Sequence, residues 1–202
     1  MVPTGSLFAA DDLQYNDPMI FLASKSPRRQ ALLRQIHVDF ELIDVEVPEV
    51  PGAGEKPSDY VIRIALEKAQ TGFKQLQRQD ALVLAADTAV VIDKKILGKP
   101  RDRNDGLAML NRLSGRTHQV FSAVALVNAV GENFDLSVSE VTFREISNEE
   151  RELYWDSGEP ADKAGAYAIQ GIAAVFIRHL NGSYSGVMGL PLYETGRLLA
   201  AR

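Results

Sequence analysis

The chain contains no cysteine, which excludes disulfides and thiolate metal sites and fits a reducing cytoplasm. It holds only three histidines, at positions 37, 118 and 179. They are far apart and show no metal-ligand spacing, so each reads as a strand or surface histidine. No apolar run is long enough to span a bilayer, so no membrane role is expected. Positive charge is not in excess either. The formal net charge is -5, whereas a general nucleic-acid binder carries a basic surface. Walker, Gly-x-Gly-x-x-Gly and Gly-x-Ser-x-Gly motifs are missing, as are internal repeats and low-complexity tracts. Met1 to Asp17 has no basic stretch ahead of an apolar core, against a signal or transit peptide. Residues 1–18 read as a poorly ordered extension without a function of their own.

What is present is an ordinary globular composition. Of 202 residues, 46% are hydrophobic and 24% charged, enough for one domain with a proper core. The segment Phe21-Leu22-Ala23-Ser24-Lys25-Ser26-Pro27-Arg28-Arg29 organises the rest. Met19 to Ala23 reads as a short buried strand. Ser26 suits a helix N-cap and Pro27 the first helical position. Arg28 and Arg29 then fall in the first turn, where the helix dipole disfavours cations. A corner that gathers free N–H groups, Lys25, Arg28 and Arg29 suits an anion, with phosphate the obvious candidate. These residues alone leave open a solvated basic turn.

The pattern continues with a helix over 27–35, whose buried side carries Ala31, Leu32 and Leu33, and a half-buried strand over 37–44. A loop over 47–57 precedes a helix capped by Ser58 and running to about Gln77. Ala81 to Ile92, apolar except at Asp87-Thr88, predicts a strand pair buried on both faces. A turn at Asp93-Lys94-Lys95, a helix over 103–113 and long β-branched strands over 118–129 and 134–146 follow. Ser147 and Glu150 form a capping box for a helix to Asp156. Gly158 to Gly171 is loop-rich, Ala173 to His179 a strand, Gly182 to Pro191 a mobile loop near the cleft, and Leu192 to Ala201 a closing helix. The expected fold is α/β with a mixed twisted sheet, one domain over 19–202 of two lobes around a central cleft.

Asp87 is the most informative residue. A carboxylate in so apolar a run must be paired, metal-bound or exposed at a strand end. Lys68 on the polar side of its helix and Lys99 on the rigid Gly98-Lys99-Pro100 loop read singly as solvated lysines. With Arg28 and Arg29 they would neutralise a triphosphate. Gln170, at the end of a run of small residues, gives and accepts hydrogen bonds as a base edge requires.

The segments Leu22-Ala23-Ser24-x-Ser26-Pro27-Arg28-Arg29, Glu67-Lys68-Ala69, Ala86-Asp87-Thr88, Gly98-Lys99-Pro100, Leu113-Ser114-Gly115-x-Thr117-His118, Asp162 to Tyr167 and Gly189-Leu190-Pro191 together resemble the Maf family of nucleoside triphosphate pyrophosphatases, also described as septum formation inhibitors. The resemblance implies an inosine-triphosphatase-like fold, a homodimer, and hydrolysis of a nucleoside triphosphate to monophosphate and pyrophosphate with a divalent cation (Mg2+, Mn2+ or Co2+). By position it implies Asp87 as proton acceptor, with Lys68 and Lys99 catalytic and Ser24, Arg28 and Arg29 handling phosphate. Arg28, Thr88 and Gln170 fall at the base-choosing positions, in the combination of the dTTP/UTP branch. Asp87 and Glu49 are the implied metal ligands. The chain departs from the family at Ala86 and Ala168, which replace glycines, and at Pro48-Glu49, which replaces paired acids. The alternative is a nucleotide-binding regulator of cell division without significant turnover.

Overall fold

The computed structural model describes residues 19–201; the expected extension over 1–18 lies outside the described residues. Strand β1 (Ile20–Leu22) is buried along its length and leads into helix α1 (Pro27–Gln35). Ser26 is the N-cap residue but makes no side-chain cap bond. Its own N–H instead donates to Ser24 Oγ at 3.2 Å. Leu32 and Leu33 are buried, whereas Ala31 is exposed. The strand expected over 37–44 shrinks to β2 (Glu41–Leu42). His37 takes the left-handed conformation (φ 57°), which turns the chain rather than extending it.

Helix α2 (Pro57–Leu76) starts two residues earlier than expected: Lys56 is the N-cap and Pro57 occupies the first turn, so Ser58 is already helical. Ala81 to Ile92 forms one strand, β3 (Leu82–Ile92), rather than a pair. Its hairpin partner β4 (Lys95–Leu97) follows the turn at Asp93 and Lys94. Both turn residues have positive φ, 52° and 60°, which matches the right-handed twist of the flanking strands. Helix α3 (Arg103–Leu113) is capped by the Asp102 carboxylate, which accepts from the Asp105 N–H. Strands β5 (Thr117–Val127) and β6 (Glu132–Phe143) pair along their whole length. Helix α4 (Asn148–Asp156) carries the expected Ser147–Glu150 capping box. Ile172–Phe176 is a 3-10 turn, so the next strand, β7 (Ile177–Asn181), begins later than the apolar pattern suggests. Instead of a mobile loop, a short helix α5 (Tyr184–Met188) follows, capped by the Ser183 side chain. Helix α6 (Leu192–Ala200) closes the fold.

Among the described residues the strands form one seven-stranded mixed sheet in the order β2-β1-β3-β5-β6-β7, with β4 beside the far end of β3. β1 is parallel to β2 and β3, and the remaining pairs are antiparallel. Alternation along β3 sets which layer each side chain meets. Val83, Ala85, Ala89 and Val91 pack under α2. Leu82, Leu84 and Ala86 pack on the opposite face with Leu32, Leu33 and Leu199. Val90 and Ile92 belong to a further cluster with Leu110, Leu113, Phe143 and Tyr154, beneath α3 and α4.

This arrangement creates an opening. The last register pair between β1 and β3 is Leu22 with Leu84, and β4 joins β3 only from Val90 onward. Between those points, among the described residues, β3 has no strand on that side, and Asp87 and Thr88 lie in the gap. The chain moves outward from β1 to β2 and then crosses back to β3, so strand order reverses here. Open α/β sheets bind ligands at such reversals, beyond the carboxyl ends of the parallel strands.

Candidate active site

A cleft of about 550 Å³ occupies this opening. Ser24, Arg28, Arg29, Glu49, Lys68, Asp87, Thr88, Lys99 and Gln170 all line it, so every site residue expected from the sequence reaches one cavity. Among the described residues six cationic and four acidic side chains face the cleft, on a chain of net charge -5. The local excess of positive charge suits an anionic ligand carrying its own counter-ion.

Asp87 has the parity of the α2-facing residues of β3, and there it meets Lys68. The Lys68 Nζ donates to Asp87 Oδ1 at 2.9 Å, and both side chains are more than nine-tenths buried. The same ammonium lies 2.5 Å from Glu49 Oε1 on the loop before α2. Lys68 is therefore not the solvated lysine it seemed singly. The buried stripe of α2 runs Val61, Ile64, Ala65, Lys68, Ala69 and Gly72. Helical spacing from Ile64 and Ala65 was the signal that places Lys68 inside. Burial raises the proton affinity of Asp87 above that of an ordinary aspartate, although Lys68 and Arg29 oppose the effect. At Glu49 burial acts in the same sense, but Lys68, Lys99 and Arg29 outweigh it and hold the carboxyl below its ordinary value.

The two arginines are aimed by the segment that read as a mobile loop. Arg28 Nε donates to Met188 O at 3.3 Å and Arg29 Nε to Gly189 O at 2.7 Å. Arg29 also donates to Ser24 Oγ at 3.3 Å. Gly189 itself has φ 124°, a conformation only glycine adopts freely, which turns its carbonyl back toward Arg29. Burial lowers the pKa of Arg29, with Asp87 and Glu49 acting against that loss. Lys99 is exposed at the rim, on the loop between β4 and α3.

Thr88 points to the opposite face of β3 from Asp87. Its hydroxyl lies 2.6 Å from Ser122 Oγ and 3.4 Å from Gly189 O. Gln170 is exposed at the cleft, on a segment braced from behind by Glu159. The Glu159 carboxylate accepts from the Ile172 N–H at 2.9 Å, the Ala173 N–H at 3.4 Å and the Tyr154 hydroxyl at 2.7 Å. Tyr154 Oη in turn accepts from the Ala168 N–H at 3.3 Å. Both flanks of Gln170 are thus tied to one carboxylate. A Cβ on Gly171 would lie 2.1 Å from that carboxylate, so any larger residue there would push Glu159 off these partners. Sequence reasoning missed Glu159, since nothing local marks it, and it missed Ser122, an ordinary polar residue in a strand. Among the described residues no group of three or more acids or histidines converges on a metal-sized site. Inside the cleft, Glu49 and Asp87 converge on Lys68.

Fold and site define a mixed-sheet α/β protein with an anion-binding cleft at a strand-order reversal, built around a buried carboxylate–ammonium pair. The chain belongs to the Maf family: the family model "Maf-like protein" matches residues 19–202. A dTTP/UTP pyrophosphatase of Alkalilimnicola ehrlichii is 56% identical over 186 residues, covering 90% of this chain and 92% of that protein. A dTTP/UTP pyrophosphatase of Methylococcus capsulatus is 54% identical over 187 residues, covering 93% and 92%. Among solved structures, the Staphylococcus aureus Ham1 protein aligns with a TM-score of 0.49 at 15% identity, over 91% of this chain and 96% of that one.

Proposed function

We propose that this chain hydrolyses dTTP and UTP, and modified pyrimidine triphosphates of the same shape, to the monophosphate and pyrophosphate. It would act as a single two-lobed domain and clear the nucleotide pool. The observation that carries the reading is the convergence of Arg28, Arg29, Lys68 and Lys99 with a buried Asp87 on one cleft. Over half identity to proteins named for that reaction supports it. A cytoplasmic homodimer is part of the same reading, resting on the family resemblance and the absence of cysteine.

A triphosphate brings about four negative charges, which the cationic wall offsets in a partly dehydrated site. In our reading Ser24, Arg28 and Arg29 hold phosphate oxygens, and the fixing of the two arginines by the carbonyls of Met188 and Gly189 spares the ordering cost at binding. Asp87 takes the proton of a water attacking the α-phosphorus. Its raised proton affinity makes it a stronger base than a solvent-exposed aspartate. Lys68 keeps Asp87 ionised and oriented in the resting site, and Lys99 faces the departing pyrophosphate.

Two converging carboxylates suit a hard divalent cation, which usually takes one or two carboxylates and completes its shell with substrate phosphates and water. Glu49 and Asp87 would hold it. Such an ion supplies charge neutralisation and lowers the pKa of a bound water. Incubating the pure protein with a panel of nucleoside triphosphates and Mg2+, Mn2+ or Co2+ in turn, and measuring pyrophosphate, tests the proposal. Preferential release from UTP and dTTP is expected, and no release from any nucleotide would overturn it.

A further inference from the structure

Ser122 lies on β5 directly opposite Thr88 of β3. It is 1% exposed, and none of the sequence motifs includes it. Its hydroxyl has one proton to give. Gly186 O, a carbonyl that only accepts, receives that proton at 2.8 Å. The 2.6 Å contact between Ser122 Oγ and Thr88 Oγ1 needs a proton as well, and Ser122 has none left. Thr88 must supply it. The contact from Thr88 to Gly189 O, at 3.4 Å, is the longest of the three and goes without a proton; both carbonyls carry one further donor, Arg29 on Gly189 O and the Gly189 N–H on Gly186 O, so it is length that decides between them. The proton order is thus Thr88 to Ser122 to Gly186 O, and what Thr88 has left for the cleft is lone pairs.

We infer that Ser122 is a specificity-determining positioning residue: it fixes the Thr88 hydroxyl as a hydrogen-bond acceptor, so that Thr88 selects a base presenting an N–H to it. This rests on the proposed activity and on the resemblance that puts Thr88 among the base-choosing positions. Uracil and thymine carry a single N–H on their pairing edge, at N3, between two carbonyls. Cytosine has a bare lone pair at N3. A hydroxyl free to rotate would accept from the first and donate to the second. A hydroxyl whose proton is committed elsewhere satisfies only the first, and facing lone pairs at cytosine N3 would repel. Discrimination in this scheme comes from a buried strand residue that never touches substrate. Only a site with fixed polarity penalises the wrong partner by leaving a polar group unpaired.

The test compares kcat/KM for UTP and CTP in the wild type, Ser122→Ala and Thr88→Val. Ser122→Ala frees the Thr88 proton, so the UTP to CTP ratio should fall about tenfold, with CTP turnover rising in absolute terms. Thr88→Val should also lower the ratio, but by loss of UTP turnover with no gain on CTP. A rise in CTP turnover separates a change of polarity from mere loosening of the site. On the wild type, N3-methyl-UTP, which has no N–H on that edge, should be turned over at least about tenfold less well than UTP. This arm needs no variant to fold. A Ser122→Ala ratio equal to wild type, or N3-methyl-UTP used as well as UTP, would overturn the inference while leaving the activity intact. A wild type that hydrolyses no nucleotide would overturn the activity reading, and this inference with it.

Discussion

Lys68 Nζ and Asp87 Oδ1 are 2.9 Å apart in the interior, contributed by a helix and a strand separated by nineteen positions in the chain. Removing either partner should have opposite effects on stability. Asp87 has its pKa raised above 3.8 by burial. The native state therefore takes up a proton before the unfolded chain does as pH falls. The contribution of this group to stability rises through the window between the two values and is unfavourable above it. Asp87→Asn should leave the protein at least as stable as wild type at pH 7, while lowering turnover by about a hundredfold or more. Lys68→Met leaves Asp87 buried without its closest cation and should cost about 3 kcal/mol at pH 7, less as Asp87 protonates in acid. Urea unfolding at pH 7 and pH 4, alongside turnover, checks both. An active Asp87→Asn protein would remove Asp87 from the mechanism.

His118 should make the fold sensitive to mild acid. It is buried against Tyr167, whose hydroxyl lies 2.8 Å from Nε2, and against Phe143 edge-on at 5.0 Å. Burial alone lowers its pKa from 6.5 to about 4. Below the unfolded value the unfolded chain gains a proton that the native protein refuses, so stability falls as pH drops from about 6.5 towards 4. By pH 5 this residue should account for a loss of about 2 kcal/mol. Unfolding free energies of wild type and His118→Gln, measured between pH 7.5 and 5, should converge by that amount. Parallel curves would mean that His118 is not held neutral.

The Glu159 brace predicts a change of substrate choice from a residue outside the cleft. Glu159→Ala releases the N–H groups of Ile172 and Ala173 and the Tyr154 hydroxyl together. The Gln170 amide then loses its fixed position. KM for UTP should rise about tenfold, with a smaller change in kcat, and preference among bases should flatten. Glu159→Gln keeps an acceptor oxygen and should recover most of the preference. Destabilisation with preference unchanged would make Glu159 a structural residue only.

Packing between α3 and α4 gives a stability prediction that leaves the chemistry alone. A Cβ on Gly106 would sit 2.0 Å from the Trp155 ring. Gly106→Ala should therefore cost about 1–3 kcal/mol through overpacking, despite the better helix propensity of alanine. Turnover per folded molecule should be unaffected. An unchanged melting temperature would show that Trp155 moves aside.

How much of this was legible in the sequence depends on the range of the signal. The capping box of α4 and the proline-led start of α1 are local, and both are where the pattern put them. Asp87 announced itself as an anomaly in an apolar strand, but its partner did not. Lys68 looked solvated because its side chain is charged, although its position on α2 belongs to the buried stripe. The segment 183–189 looked like a loop because it is rich in serine and glycine. It folds into α5 because Ser183 caps it, accepting from the Gly186 N–H, and because Arg28 and Arg29 bind the carbonyls at its end. The brace by Glu159 and the proton order through Ser122 join residues distant in the chain. Neither leaves a periodic or compositional trace.

The most direct test of the central claim is hydrolysis of UTP in water labelled with ¹⁸O. Attack at the α-phosphorus, with Asp87 as proton acceptor, puts the label in UMP and leaves the released pyrophosphate unlabelled. Label in pyrophosphate, or release of orthophosphate in its place, would contradict the account.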